Sequence, residues 1–145
     1  MSFESHSKVE NMDLQELSIK LAEHDHEGMG FESFLISGEQ DVLQVVVEGS
    51  DELPIFVTVT EEQMLCISYL FGEEELKDGV ANELNATLLK LNVPMPLSSF
   101  AIIEDKYSIF GSLSVNSSFE DIAHELVSLA DNAIDALETI EDYLK

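Results

Sequence analysis

The densest group of metal-capable side chains is His24-Asp25-His26. Imidazole nitrogens suit zinc and its neighbours in the first transition row. Two histidines two positions apart at a helix end need not share a face, so a third and fourth ligand must come from elsewhere. No cysteine pair and no His-x3-His spacing supplies them. The alternative is a solvated helix C-terminus, where a partly charged imidazole suits the helix dipole. Glu73, Glu74 and Glu75 with Asp78 offer oxygens for calcium or magnesium. They lack the Asp-x-Asp-x-Asp-Gly loop of a built calcium site, and acids at a helix start are accounted for by the dipole. His124 lies between Ala123 and Glu125, with no serine or cysteine near it in sequence to make it a triad member. The single Cys66 falls inside an apolar strand pattern and reads as a buried thiol without a disulfide partner in the chain. No G-x-S-x-G, H-E-x-x-H, G-x-x-x-x-G-K or G-x-G-x-x-G segment occurs. The sequence therefore assigns no catalytic, cofactor-binding or metal-ligating residue, and no cofactor is expected.

The remaining chemistry is charge. Thirty Asp and Glu face six Lys, with no Arg, for a formal net charge of −24. Such a surface repels nucleic-acid backbones and anionic lipid headgroups. Without Arg the chain also lacks the bidentate fork favoured by phosphate and carboxylate sites. A basic protein partner, a cation or plain solubility remains. The acids are most regularly placed near the C-terminus, where Asp131, Asp135, Glu138 and Asp142 recur at spacings of four, three and four. On a helix these form one ridge, at a cost of a few tenths of a kcal/mol per like-charge pair. Glu138, Glu141 and Asp142 also fall at the unfavourable end of the dipole. This is either a solvated face or a docking ridge for a basic partner.

The elements that must position these residues follow from periodicity. Residues 1–11 are polar and unpatterned and read as a tail; 12–145 read as one domain. Asp13 with Glu16 forms a capping box, Met12 can staple onto Leu17, and Leu14, Leu17 and Leu21 make the apolar stripe of a first helix, which Gly28 and Gly30 end. Strands are expected at 31–36, 41–48, 54–60 and 64–71. The last is apolar on both faces, with Met64, Cys66 and Leu70 on one and Leu65, Ile67, Tyr69 and Phe71 on the other, so it belongs mid-sheet or beneath another layer. A second helix is expected over 73–92 with three Glu in its first turn. A hairpin follows at 99–103 and 107–115, with Ser108, Ser112 and Ser114 on an exposed face. A long helix is expected over about 118–144, capped by Ser117 with Glu120. Its two adjoining apolar stripes span about 200°, roughly twice what packing on a sheet requires. A second element or a second subunit should cover the excess, which includes Ile134 and Leu137.

The order α-β-β-β-β-α-β-β-α indicates an α+β fold with a mostly antiparallel sheet of about six strands and three helices. The stretch ELPIFVTVTEEQMLCISYLF, residues 52–71, resembles the signature of the uncharacterised YjfI-like bacterial family, and the likeness runs from about Leu14 to the final helix. The resemblance implies no mechanism and carries over no catalytic residue. It implies an envelope-stress context, since members tend to be encoded near relatives of a phage-shock coiled-coil protein. The element order and acidity also resemble the type III secretion chaperone-like fold, which implies a small acidic protein that dimerises and holds a partner segment. Neither a membrane-spanning run nor a signal-peptide pattern is present, so a cytoplasmic location is expected. The reading is an acidic adaptor or chaperone-like protein, a homodimer on the chaperone analogy. It binds a basic protein or segment through Asp131, Ile134, Asp135, Leu137, Glu138 and Asp142. The alternatives are a carboxylate/His-dependent enzyme or metal-binding protein, and an acidic nucleic-acid mimic.

Overall fold

A computed structural model describes residues 13–145. The expected tail and the Met12 staple lie outside the described residues. The elements are α1 (Leu14–Ala22), β1 (Phe31–Ile36), β2 (Val42–Val47), β3 (Ile55–Val59), β4 (Gln63–Gly72), α2 (Ala81–Leu91), β5 (Ser99–Ile103), β6 (Lys106–Ser114) and α3 (Phe119–Ile140). This is the expected α+β order. The six strands form one sheet, β1-β2-β3-β4-β6-β5, with every neighbouring pair antiparallel.

The helices pack on one face of the sheet. Alternation along the strands turns Leu43, Val45, Ile55, Val57, Met64, Cys66 and Ile109 toward α1 and the first half of α3, where Leu14, Leu17, Leu21, Ile122, Leu126 and Leu129 complete the main core. Burial of each such side chain contributes about 1.5–3 kcal/mol. A second cluster joins α2 (Leu84, Leu88) and Ile140 of α3 to Phe71 and Tyr107 at the far end of the central strands. The opposite sheet face carries the expected second apolar set of β4, but among the described residues no layer seals it: Leu65 and Ile67 are half-buried and Tyr69 is exposed. Phe71 departs from that set. Tyr69 pairs with Ser108 and Phe71 with Tyr107, so Leu70 is an extra residue that bulges β4 and turns Phe71 into the core. There it stacks on Tyr107 at 4.8 Å between ring centroids. Opposite Tyr69, Ser108 is buried rather than exposed, because β6 runs between β4 and β5 and not along the rim.

The second helix is shorter than its periodicity suggests. Glu73–Glu75 form a single 3-10 turn, and α2 starts at Ala81. Gly79 adopts φ +79°, which stops helix propagation through it. The intervening residues pair with the C-terminus instead: the Lys77 amide donates to the Tyr143 carbonyl (2.9 Å) and the Lys145 amide to the Glu75 carbonyl (2.8 Å). The same pairing ends α3 at Ile140, followed by a 3-10 turn over Glu141–Tyr143. At the start of α3 the cap is Ser118 rather than Ser117, its Oγ accepting from the Asp121 amide at 3.1 Å. Asp13 caps α1 as expected, accepting from the Glu16 amide at 2.7 Å.

Candidate functional site

Two regions of α3 carry the candidate functional residues. At its N-terminal end, Glu120 and His124 are one helical turn apart and face the segment that leaves α1. That segment turns sharply. The His26 amide donates to the Met29 carbonyl (3.0 Å) and the Met29 amide to the His26 carbonyl (2.9 Å). Between them Glu27 (φ 53°) and Gly28 (φ 84°) both lie in the left-handed region, as a two-residue hairpin loop requires. Glycine accepts that conformation freely, whereas Glu27 pays about 1–2 kcal/mol.

The turn fixes His26 against α3. His26 Nε2 lies 3.2 Å from His124 Nδ1 and 3.4 Å from Glu27 Oε2. His24 meets the edge of Phe119 at 4.8 Å, and its Nε2 is buried without a hydrogen-bond partner, 4.0 Å from Glu120 Oε1. The sequence treats His24-Asp25-His26 and His124 as separate features. The fold brings all three described histidines together, and the missing signal was tertiary: nothing local says that β1 and α1 return their junction to α3.

Beside this cluster α3 buries a carboxyl group. Glu125 is 2% exposed, lies against Gly111 of β6, and leaves Oε2 unpartnered. Burial pushes its pKa up, and the neighbouring His124 opposes this. Opposite Gly111, burial pushes the Cys66 thiol up to about 12, reinforced by Glu125. Sequence reasoning passed over Glu125. Its signal was its place in the apolar stripe, three residues after Ile122 and four before Leu129, with a strand glycine able to make room for it.

The C-terminal half of α3 carries three of the four ridge acids; Asp142, expected on the same helix face, lies past Ile140 in the 3-10 turn, because the helix ends there. Asp131, Asp135, Glu138 and Asp142 are all exposed, and Ile134 and Leu137 are half-buried. Among the described residues no lysine comes within ion-pair distance of the four acids. The ridge divides two hollows. One, of about 640 Å³, is lined by Gly49–Leu53, Leu70, Ile134, Leu137 and Glu138. The other, of about 240 Å³, lies between Asp135, Ala136 and the loop Pro94–Pro96. That loop is tied to the helix by Asn132 Nδ2, which donates to the Pro96 carbonyl at 2.9 Å and Ser98 Oγ at 3.0 Å. The chain itself thus covers most of the wide apolar arc of α3. A third hollow, of about 310 Å³, opens between α2 and the edge strand β5, rimmed by Leu89 and Ile102, with Val93 also exposed.

The fold is one already seen in solved structures. The chaperone SycH of the Yersinia pestis type III secretion system, crystallised with a fragment of YscM2, superposes with a TM-score of 0.53 at 17% identity, covering 84% of this chain and 94% of that one. YbjN of Escherichia coli superposes with a TM-score of 0.65 at 17% identity, covering 92% and 94%. These likenesses show an α+β fold shared with both structures. Residues 11–144 match the profile of DUF2170, described as an uncharacterized protein conserved in bacteria, and the chain belongs to that family. The uncharacterized protein YjfI of Escherichia coli K12 is 33% identical over 112 residues, 74% of this chain and 83% of that protein. Among the described residues no helix is long and apolar enough to cross a membrane.

Proposed function

We propose that this chain is a cytoplasmic, chaperone-like adaptor that holds a basic segment of another protein. The observation that carries the reading is the hollow beside α3. Its floor is apolar (Leu53, Leu70, Ile134, Leu137) and its rim is acidic (Asp51, Glu52, Glu138). An extended or helical segment with apolar anchors and flanking lysines or arginines matches both. The net charge of −24 would speed the encounter and make it salt-dependent. SycH, which shares the fold, was crystallised with a protein fragment. In this reading two copies associate through exposed apolar residues, Leu89 of α2, Val93 in the turn after it and Ile102 of β5.

The test is capture of partners from native cytoplasm by wild type and by an Ile134→Ser/Leu137→Ser double variant of unchanged circular dichroism. A stoichiometric partner rich in lysine or arginine, released by rising salt and absent from the variant, is the expected result. A partner indifferent to salt, or one that the variant still captures, would remove the groove from the reading.

A further inference from the structure

We propose that His24, His26, His124 and Glu120 form a binding site for one divalent transition-metal ion of the zinc class. The site is separate from the groove and does not depend on the adaptor reading.

Three observations carry it. First, the donors converge from two distant segments. One ligand atom each from His24, His26 and Glu120 lies within 4.8 Å of the others, and a second triad, His26, Glu27 and His124, meets the same limit; the two triads share only His26, so one ion held by His24, His26, His124 and Glu120 requires the exposed Glu120 and His124 side chains to rotate inward. Second, the spacings fit. Metal–nitrogen and metal–oxygen bonds of about 2.0–2.1 Å at tetrahedral angles place neighbouring donors about 3.3–3.4 Å apart. The separations from His26 Nε2 to His124 Nδ1 (3.2 Å) and Glu27 Oε2 (3.4 Å) fall close to that edge. The His24–Glu120 gap of 4.0 Å closes by a small rotation of Glu120, whose side chain is free in solvent. Third, His24 Nε2 is buried with no hydrogen-bond partner. An unpaired buried nitrogen calls for a ligand, and a metal ion supplies one.

The donor set selects the ion. Three imidazoles and a carboxylate suit zinc, copper, nickel or cobalt, whereas calcium and magnesium require oxygen cages. Glu120 and His124 share one helix face at i,i+4, the spacing by which helices present paired metal ligands. His26 is held by its tight turn, so it is preorganised before a metal arrives. Glu27 stands on the same nitrogen and is the natural substitute for Glu120 as the carboxylate ligand.

The competing account is that His26 and His124 share only an N–H···N hydrogen bond and that cations gather loosely on thirty carboxylates. The test separates these. Untagged protein, stripped with chelator, is titrated with cobalt and then zinc in excess magnesium, which occupies exposed carboxylates and leaves imidazoles free. Wild type should take up one equivalent, show the visible ligand-field bands of tetrahedral cobalt, and melt at higher temperature with zinc. His26→Ala and His124→Ala should each weaken zinc by more than about 100-fold, beyond the loss typical of an outer-shell partner. Glu120 and His124 are exposed, so Glu120→Gln and His124→Ala leave the core intact. An Asp131→Asn/Asp135→Asn variant should bind zinc like wild type. Displacement by magnesium, octahedral cobalt spectra, or equal affinities for wild type and His124→Ala would overturn the proposal.

Discussion

From Ile122 to Ala133, α3 is sealed: Ile122, Ala123, Leu126, Leu129, Ala130 and Ala133 are all but inaccessible, and even Glu125 is drawn under the surface. From Ile134 to Glu138 the same helix keeps its apolar rhythm, yet Ile134 and Leu137 are only half covered, with Ala136 and later Ile140 the buried residues. The sequence periodicity is alike in both halves. What differs is the surface opposite. The first half lies on the middle of the sheet and against α1. The second runs out over the bulge at Leu70 and the loop Gly49–Leu53, which meet it only at the edges of a hollow. An apolar stripe on a helix therefore specifies a face to be covered but not what covers it.

The sharpest way to test that difference is a pair of truncations. Leu126 is completely buried and Leu137 half-buried. Leu126→Ala should cost about 3–4 kcal/mol, and Leu137→Ala only about 1 kcal/mol, as judged from denaturant unfolding. Equal costs would mean that the hollow beside Leu137 closes in solution. A second substitution probes the sealed half from the strand side. A methyl group on Gly111 would collide with the Glu125 carboxyl and crowd the Leu97 carbonyl. Gly111→Ala should destabilise by about 2–3 kcal/mol. Glu125→Ala in the same chain should recover part of that, a non-additivity measurable in a double-mutant cycle. Full additivity would show that Glu125 swings away from β6.

The elements of both halves were legible because they depend on local pattern. The alternation in β1 to β4 and the 3-4 spacing from Phe119 to Ile140 fix strand and helix whatever lies opposite. Errors fell where a long-range contact overrides that pattern. Leu76 and Val80 continue the stripe of α2 backward in sequence, but the pairing of Lys77 and Glu75 with the chain's C-terminal residues holds them out of the helix. Phe71 follows its strand's alternation only until the bulge at Leu70 reverses it. The exposure of the acids was legible because Asp131, Asp135 and Glu138 on one helix face need no partner to be exposed; that Asp142 falls in a 3-10 turn beyond the helix was not. The histidine cluster was not, because His26 and His124 are 98 residues apart and only the tertiary fold joins them.

Alkaline pH supplies a smaller test of how well the first half is sealed. Burial raises the Cys66 pKa from 9.0 to about 12 in the folded chain, with Glu125 adding to the shift. The unfolded chain releases this proton first, so between about pH 9 and 12 the folded state binds more protons than the unfolded one. The contribution is fully present below pH 9 and is lost as pH rises toward 12, at no more than about 1.4 kcal/mol per pH unit. Comparison of wild type with Cys66→Ala isolates it: the variant should lose stability less steeply over that window. Parallel curves would show that water reaches the thiol and that the first half is not closed. In a sealed core, thiol reagents should react with native Cys66 only as fast as the protein opens.

The smallest effect belongs to the open half, and its sign is the informative part. Asp131 and Asp135 repel each other at i,i+4, and Glu138 sits near the negative end of the dipole with Asp142 following in the 3-10 turn beyond it. With no lysine paired to them among the described residues, these charges should oppose folding rather than support it. Replacing all four by Asn or Gln should therefore raise stability by about 0.5–1 kcal/mol at low salt, and the gain should fade toward zero as salt screens the wild-type repulsion. The same variant should lose the salt-sensitive part of partner binding. A ridge kept at a cost to stability and needed for binding is what a docking surface requires. If neutralisation instead lowers stability, the acids hold the second half of α3 in place, and the contrast between its two ends is one of chemistry rather than of closure.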